Sequence, residues 1–256
     1  MGELRFTGRV AVVTGAESGI GRATALRILA EGGSVLAADR ATYDPWPDEV
    51  AERVHRVEVD VADDRAPELV LAALDAHGLA PHVLVNAAGI LAIAPFLEVG
   101  REDWDRVLAV NLRGVFFLTQ AVARRMVQAG TTGRIVNVSS VHAVVSEPNA
   151  APYTASKGGL EAMTRTIATE LAPHRITVNC VRPGATRTRM SDPIYTPAIL
   201  DALAGRVPLR DVAPPEWVAS AICYLASDES VYTTGACLDV DGGYAMNGGL
   251  PGISYE

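Results

Sequence analysis

The sequence predicts an α/β domain in which helices cover both faces of a parallel sheet. Three observations carry that reading. Short apolar runs of strand length alternate with longer helical patterns along the chain. Those runs lack a polar face, as strands buried on both sides do. The residues suited to chemistry fall at their carboxyl ends, where open parallel sheets bind ligands. No repeat and no interdomain linker interrupts the 256 residues, so 1–256 reads as one domain.

The elements follow in order. "RVAVVTG" (9–15) is a β-branched strand that ends at Gly15. "GIGRATALRILAEGG" (19–33) has helical spacing and stops at Gly32-Gly33. "SVLAADR" (34–40) and "HRVEVDV" (55–61) are the next strands, "ELVLAALDAHG" (68–78) a helix, and "HVLVNAAG" (82–89) the fourth strand. A helix runs over 104–130, a strand over "GRIVNVSS" (133–140), and a helix from about 152 to 172. "RITVNCVRPG" (175–184) is the sixth strand. Residues 185–215, rich in Pro, Thr and Arg, read as loop with a short helix, the pattern of a lid. "EWVASAICYLAS" (216–227) is helical, and "ACLDVDGG" (236–243) closes the chain's strands.

Composition excludes several classes. Apolar residues make up 49% and charged residues 20%, as in a globular protein with a full core. A formal net charge of −8 argues against a nucleic-acid partner, whose phosphates need a positive footprint. Cys180, Cys223 and Cys237 show no C-x-x-C spacing and read as buried thiols of a reducing cytoplasm. No apolar run approaches the ~20 residues of a membrane span. The opening "MGELRFTGRV" lacks the apolar stretch of a signal peptide. The histidines have no metal-ligand spacing, and no metal is expected.

"TGAESGIG" sets Gly15, Gly19 and Gly21 between the first strand and the first helix, with Glu17, Ser18 and Ile20 among them. Gly15 lets the chain turn, Gly19 lets backbone approach a pyrophosphate, and Gly21 lets the helix sit close to the sheet. The helix N-terminus then offers N–H groups and partial positive charge to phosphates. In strand–turn–helix context this reads as a dinucleotide site.

The G-x-x-x-G-x-G spacing resembles the classical short-chain dehydrogenase/reductase family. The resemblance continues in "NAAG" (Asn86, Ala87, Ala88, Gly89), Asn111, Ser140 with "YTASK" (153–157), "RPGATRT" (182–188) and "TGACLDVDGG" (234–243). It implies a single-domain Rossmann fold, a doubly wound seven-stranded parallel sheet, and hydride transfer with a nicotinamide cofactor.

Asp39 closes the second strand about 20 residues beyond the glycines, where a carboxylate accepts the ribose hydroxyls of NAD. At ~4 Å and an effective dielectric near 20, each unit of like charge on a 2′-phosphate costs about 4 kcal/mol. Glu17 adds negative charge, and Arg40 pulls the other way. NAD is therefore the expected cofactor, with a solvated strand terminus as the plain alternative for Asp39. Asp60-Val61 fits the family position beside the adenine, or Asp60 forms a turn. "NAAG" lies against the cofactor ribose by resemblance. Pro183, Gly184, Thr186 and Thr188 follow strand six, and the resemblance gives Thr188 the nicotinamide carboxamide.

Tyr153 and Lys157 share one helix face at i and i+4. A free phenol has a pKa of ~10, and a nearby ammonium and an oxidised nicotinamide both favour phenolate. Tyr153 is thus the expected acid/base, and Lys157 the group that lowers its pKa and bonds the nicotinamide ribose. Ser140, at the end of strand five, orients the substrate oxygen. Ser139 points to the other side of the strand. Asn111 is a poor helix former inside a helix, and by resemblance it disrupts that helix and holds a water linking Lys157 to solvent.

Ser140, His142, Asn149, Tyr153 and Gly184 are the expected substrate contacts. His142, Glu147 and Asn149 form a polar set that favours a small polyol, sugar or hydroxy acid. Arg187 and Arg189 flank the lid and are placed to draw in a carboxylate, or are simply solvated. The leading expectation is an NAD-dependent dehydrogenase or reductase of a secondary alcohol or ketone. Reduction of a 3-oxoacyl thioester is the alternative within the class, and a non-catalytic dinucleotide sensor the alternative outside it. Family resemblance also implies a homo-oligomer, tetramer or dimer, paired through its two long central helices. The apolar tail 242–256 is expected to pack, near a neighbouring subunit's pocket.

Overall fold

The computed structural model describes residues 4–41 and 44–247. Its strands are β1 (Val10–Thr14), β2 (Ser34–Asp39), β3 (Val54–Glu58), β4 (Val83–Asn86), β5 (Arg134–Val138), β6 (Thr177–Pro183) and β7 (Cys237–Val240). All pair in parallel, in the order β3-β2-β1-β4-β5-β6-β7. The helices are α1 (Gly19–Ala30), α2 (Ala66–Ala76), α3 (Arg101–Leu108), α4 (Val115–Gln128), α5 (Ala151–Leu171), α6 (Pro197–Arg206) and α7 (Pro215–Leu225). This is the doubly wound Rossmann arrangement the sequence implied.

The alternation of side chains along the strands builds two cores. Leu36, Val12, Leu84, Ile135 and Val178 are register neighbours across five strands and line one face. There they meet Val70 and Leu74 of α2 and Leu118, Val122 and Met126 of α4. Val13, Val85 and Val136, each one residue further on, line the other face against Ile28 and Leu29 of α1 and Val218 and Ile222 of α7. Each such side chain stabilises by about 2 kcal/mol when fully buried. The central strands therefore hold the sheet, while β7 at the edge leaves Leu238 and Asp239 exposed.

Arg101–Gln128 is continuous helix of 28 residues and meets the length and hydropathy of a membrane span, but half of its most apolar window is buried in the protein. Its middle, Ala109–Gly114, winds as a π-turn around Asn111. Such one-turn bulges recur at functional sites, and this one is the local disruption expected at Asn111. The lid is loop with one helix, α6, as expected.

Strand order reverses between β1 and β4, and a cleft opens at the carboxyl ends of the strands there.

Candidate active site

The cleft has a volume of about 440 Å³ and runs from Asp39 at one end to α6 at the other. The glycine turn forms its floor. Gly15 has φ +64°, and a Cβ there would lie 2.9 Å from the Ala88 nitrogen. At Gly21 a Cβ would fall 2.2 Å from the Gly15 carbonyl oxygen, so no side chain fits where α1 meets the turn. Ser18 caps α1 in extended conformation with no side-chain bond to the helix. The first N–H groups of α1 thus lack intrahelical partners at the cleft wall and suit a phosphate. This cradle fits a dinucleotide, which when bound supplies the hydride acceptor or donor.

Ser18, Gly19, Ile20, Asp39, Arg40, Asp60 and Val61 line the adenosine half. Asp39 Oδ2 accepts from Glu17 N at 3.0 Å, which fixes the carboxylate at the strand end. Asp60 lines the cleft and also accepts from Ala62 N at 2.9 Å, so it is both a wall residue and a turn former. Ala87, Ala88 and Gly89 form the middle, and Pro183, Gly184, Thr186 and Thr188 the far wall.

Three of the residues expected to bind cofactor or substrate stand elsewhere. The Glu17 carboxylate is 2% exposed and does not line the cleft. It turns under Trp46, accepts from Trp46 Nε1 at 3.2 Å and pairs with Arg56 at 3.1 Å, because the loop after β2 folds back over it. Its contribution to the site is the backbone N–H to Asp39. Asn86 is buried within the sheet, donating to Thr119 Oγ1 at 3.0 Å and Asn137 Oδ1 at 2.8 Å. Asn149 lies in a neighbouring depression rather than the cleft, with φ 64° and its carbonyl accepting from Ala94 N.

At the chemical end, Ser140, Tyr153 and Lys157 converge. Ser140 Oγ caps the short turn after β5 by accepting from His142 N at 3.1 Å, which leaves its hydrogen to donate. That hydroxyl shares the cleft with the Tyr153 phenol and favours its ionised form. Ser139 points the opposite way, to Glu161. Lys157 is 4% exposed, donates to the Val138 carbonyl at 2.8 Å, and stands 5.6 Å from the centroid of the Tyr153 ring. Asn111 is fully buried and clamps Ile90, accepting from its N–H and donating to its C=O, both at 2.9 Å. Its other amide hydrogen goes to Ser156 Oγ at 3.2 Å.

The electrostatics differ from the expectation in one respect. Burial pushes the Tyr153 phenol above its ordinary value; the Ser140 hydroxyl works against that, and Tyr195 adds a further push upward. Burial likewise pushes the Lys157 ammonium down to about 8. Without cofactor, then, lysine does not draw the phenol toward neutrality. Desolvation is the largest cause in both groups, and residue spacing does not reveal it. A neutral phenol beside Ser140 is a ready proton donor to a substrate oxygen.

Sequence reasoning missed Tyr195 and Tyr244, which both line the cleft. Each lies in a segment it singled out, the lid and the tail, and an aromatic in a lid is the signal that pointed there. Tyr244 turns the described part of the tail into its own chain's cleft; residues 248–256 lie outside the described ones.

A family model described as enoyl-(acyl carrier protein) reductase matches residues 15–245. The chain belongs to the classical short-chain dehydrogenase/reductase family. It is 42% identical over 249 residues to a 3-oxoacyl-[acyl-carrier-protein] reductase of Thermotoga maritima, covering 95% of this chain and 100% of that one. Among solved structures, a 4-hydroxyisoleucine dehydrogenase complexed with NADH superposes with TM-score 0.87 at 31% identity, over 93% of this chain and 99% of that one. A gluconate 5-dehydrogenase from Burkholderia cenocepacia, in complex with NADP and tartrate, does so with TM-score 0.86 at 30% identity, over 95% and 98%. As a member of this family the protein is an oxidoreductase acting between hydroxyl and keto groups.

Proposed function

We propose that the protein transfers hydride between NAD(H) and an uncharged secondary alcohol or ketone. One observation carries this: the Ser140–Tyr153–Lys157 set and the Asp39 carboxylate occupy opposite ends of a single cleft. Tyr153 gives or takes the hydroxyl proton, Ser140 holds the reacting oxygen, and Lys157 orients the ribose side of the cofactor. Asp39 selects NAD because a 2′-phosphate would meet its charge.

The walls around Tyr153 support the substrate assignment. Leu91, Ile93, Met190, Ile194, Ile199 and Leu203 make the lid side apolar. His142 and Glu147 supply a polar corner, and His142 Nδ1 is buried with no hydrogen-bond partner. Arg189, the lining guanidinium near the substrate end, pairs with Asp44 at 3.1 Å, and Arg187 lies exposed outside the lining. A substrate with one apolar arm and one polar, uncharged arm suits that division better than a sugar acid or hydroxy acid. The apolar wall also favours the 3-oxoacyl thioester reading over a bare polyol.

The test is a panel of acetoacetyl thioester, aliphatic methyl ketone, ketose and 2-keto acid, each with NADH and NADPH, followed by absorbance of the reduced cofactor. Faster turnover of the neutral ketones with NADH is the expected result. Turnover confined to NADPH, or to the keto acid, contradicts the proposal. We also propose assembly as a homo-oligomer through α4 and α5, supported by Phe116 and Phe117, which leave 36% and 48% of their surface exposed. Light scattering that returns the monomer mass contradicts it.

A further inference from the structure

One helical turn beyond Lys157, the same face of α5 carries Glu161. The reaction as described leaves it unused. Glu161 is 4% exposed, yet its carboxylate is fully partnered. Oε1 accepts from Ser139 Oγ at 2.8 Å and from Arg182 Nε at 2.7 Å, and Oε2 accepts from Arg182 Nη2 at 2.7 Å. Arg182 continues to Asp239 on β7 at 3.1 Å. Burial opposes ionisation of Glu161, but the Arg182 fork and the Ser139 hydroxyl hold its carboxyl below the ordinary range.

A buried pair of this kind is poor evidence for stability, because apolar residues of similar volume often serve as well. Its position suggests another use. Ser139 directly precedes Ser140. Arg182 directly precedes Pro183 and Gly184 of the cleft wall. Glu161 shares α5 with Tyr153 and Lys157. One carboxylate therefore joins the two segments that carry the reacting groups to the cleft wall beside them.

We propose that Glu161 is a positioning residue for hydride transfer. Through Ser139 it fixes Ser140 against Tyr153, and through Arg182 it fixes the Pro183–Gly184 wall. The inference rests on the roles given above to Ser140, Tyr153 and Lys157.

Two variants test it. Ser139→Ala removes one hydroxyl and leaves the ion pair. Glu161→Leu/Arg182→Leu removes the pair while keeping its net charge at zero. With the fastest ketone of the panel, kcat is expected to fall on the order of tenfold in the first and up to 10²-fold in the second. NADH affinity by fluorescence titration stays within about twofold in Ser139→Ala, since Asp39, the glycine turn and the Pro183–Gly184 wall are untouched. The double variant melts at or above the parent temperature. A readout independent of turnover is the carbon-13 signal of Lys157, the only lysine in the chain. Its titration midpoint is expected to move by at least about half a pH unit in the double variant. Burial causes the Lys157 shift and neither Glu161 nor Arg182 contributes to it, so such a move reports displacement of Lys157.

Parent kcat in Ser139→Ala, or a double variant with parent stability, parent kcat and an unmoved lysine signal, overturns the proposal. If the double variant does not fold, Ser139→Ala decides. If the parent itself reduces no ketone, the catalytic reading has failed separately, and the lysine signal still decides the positioning role.

Discussion

Lys157 Nζ stands 5.6 Å from the centroid of the Tyr153 ring, one helical turn away, and hydrogen-bonds the Val138 carbonyl rather than the phenol. The two groups share a buried pocket without a direct bond. Burial acts on both, raising the phenol and lowering the ammonium. The site thus holds a proton on Tyr153 and grips one loosely on Lys157 until a ligand changes the balance.

The first consequence is a titration. Lys157 is the only lysine in the chain, so protein labelled with carbon-13 lysine gives one side-chain signal. Its midpoint is expected at about 8, well below the ordinary 10.5. A midpoint at the ordinary value shows that the ammonium is solvated, and the burial argument fails with it.

Stability should follow the same group. Below pH 8 both folded and unfolded chains hold the Lys157 proton, and the burial penalty is complete. Between 8 and 10.5 the unfolded chain binds more protons than the folded one, so this group makes stability rise with pH. The penalty amounts to about 3 kcal/mol. Replacing Lys157 by Met removes it, less about 1 kcal/mol for the lost bond to Val138. Urea unfolding should find Lys157→Met more stable than the parent by about 2 kcal/mol at pH 7, with the advantage shrinking by pH 10. An advantage that does not change with pH goes against this account.

Asp39 should decide cofactor choice. With the carboxylate gone and Arg40 exposed at the cleft wall, a 2′-phosphate loses a repulsion worth about 4 kcal/mol at ~4 Å, halved by screening. Asp39→Ser is expected to bind NADPH at least about tenfold tighter than the parent does, measured by quenching of reduced-cofactor fluorescence. Unchanged discrimination would place specificity elsewhere in the cleft.

Gly21 has no room for a side chain, since a Cβ would sit 2.2 Å from the Gly15 carbonyl oxygen. The obstacle is backbone, which cannot rotate away. Gly21→Ala should push α1 from the turn and weaken NADH binding by on the order of 10²-fold while the two cores keep the protein folded. Parent affinity in that variant would show that the turn does not depend on close packing.

Much of this was legible in the sequence because it rests on short-range pattern. Apolar runs of strand length gave all seven strands. The glycine spacing gave the turn before α1, and the i, i+4 pair gave the face shared by Tyr153 and Lys157. Asn111 was readable as a break in its helix, and the structure resolves that break as a π-turn. What was hidden depends on distant chain segments. The Glu17 carboxylate was expected toward the phosphate, but Trp46 from the loop after β2 and Arg56 from β3 cover it, and residue order does not connect them to it. Asn149 shares a loop with His142, which lines both the cleft and the neighbouring depression, yet lines only the latter. The burial that raises the Tyr153 phenol without cofactor was hidden too, because it is a property of the packed cleft, and spacing counts charges without counting lost water.

The central claim is that Tyr153 exchanges the proton of the reacting oxygen. Tyr153→Phe tests it most directly, because it removes one oxygen and keeps the ring. Measured with the fastest panel ketone and NADH, kcat should fall by ~10² or more, while NADH binds as it does to the parent. Turnover equal to the parent's, with the cofactor bound, would contradict the account.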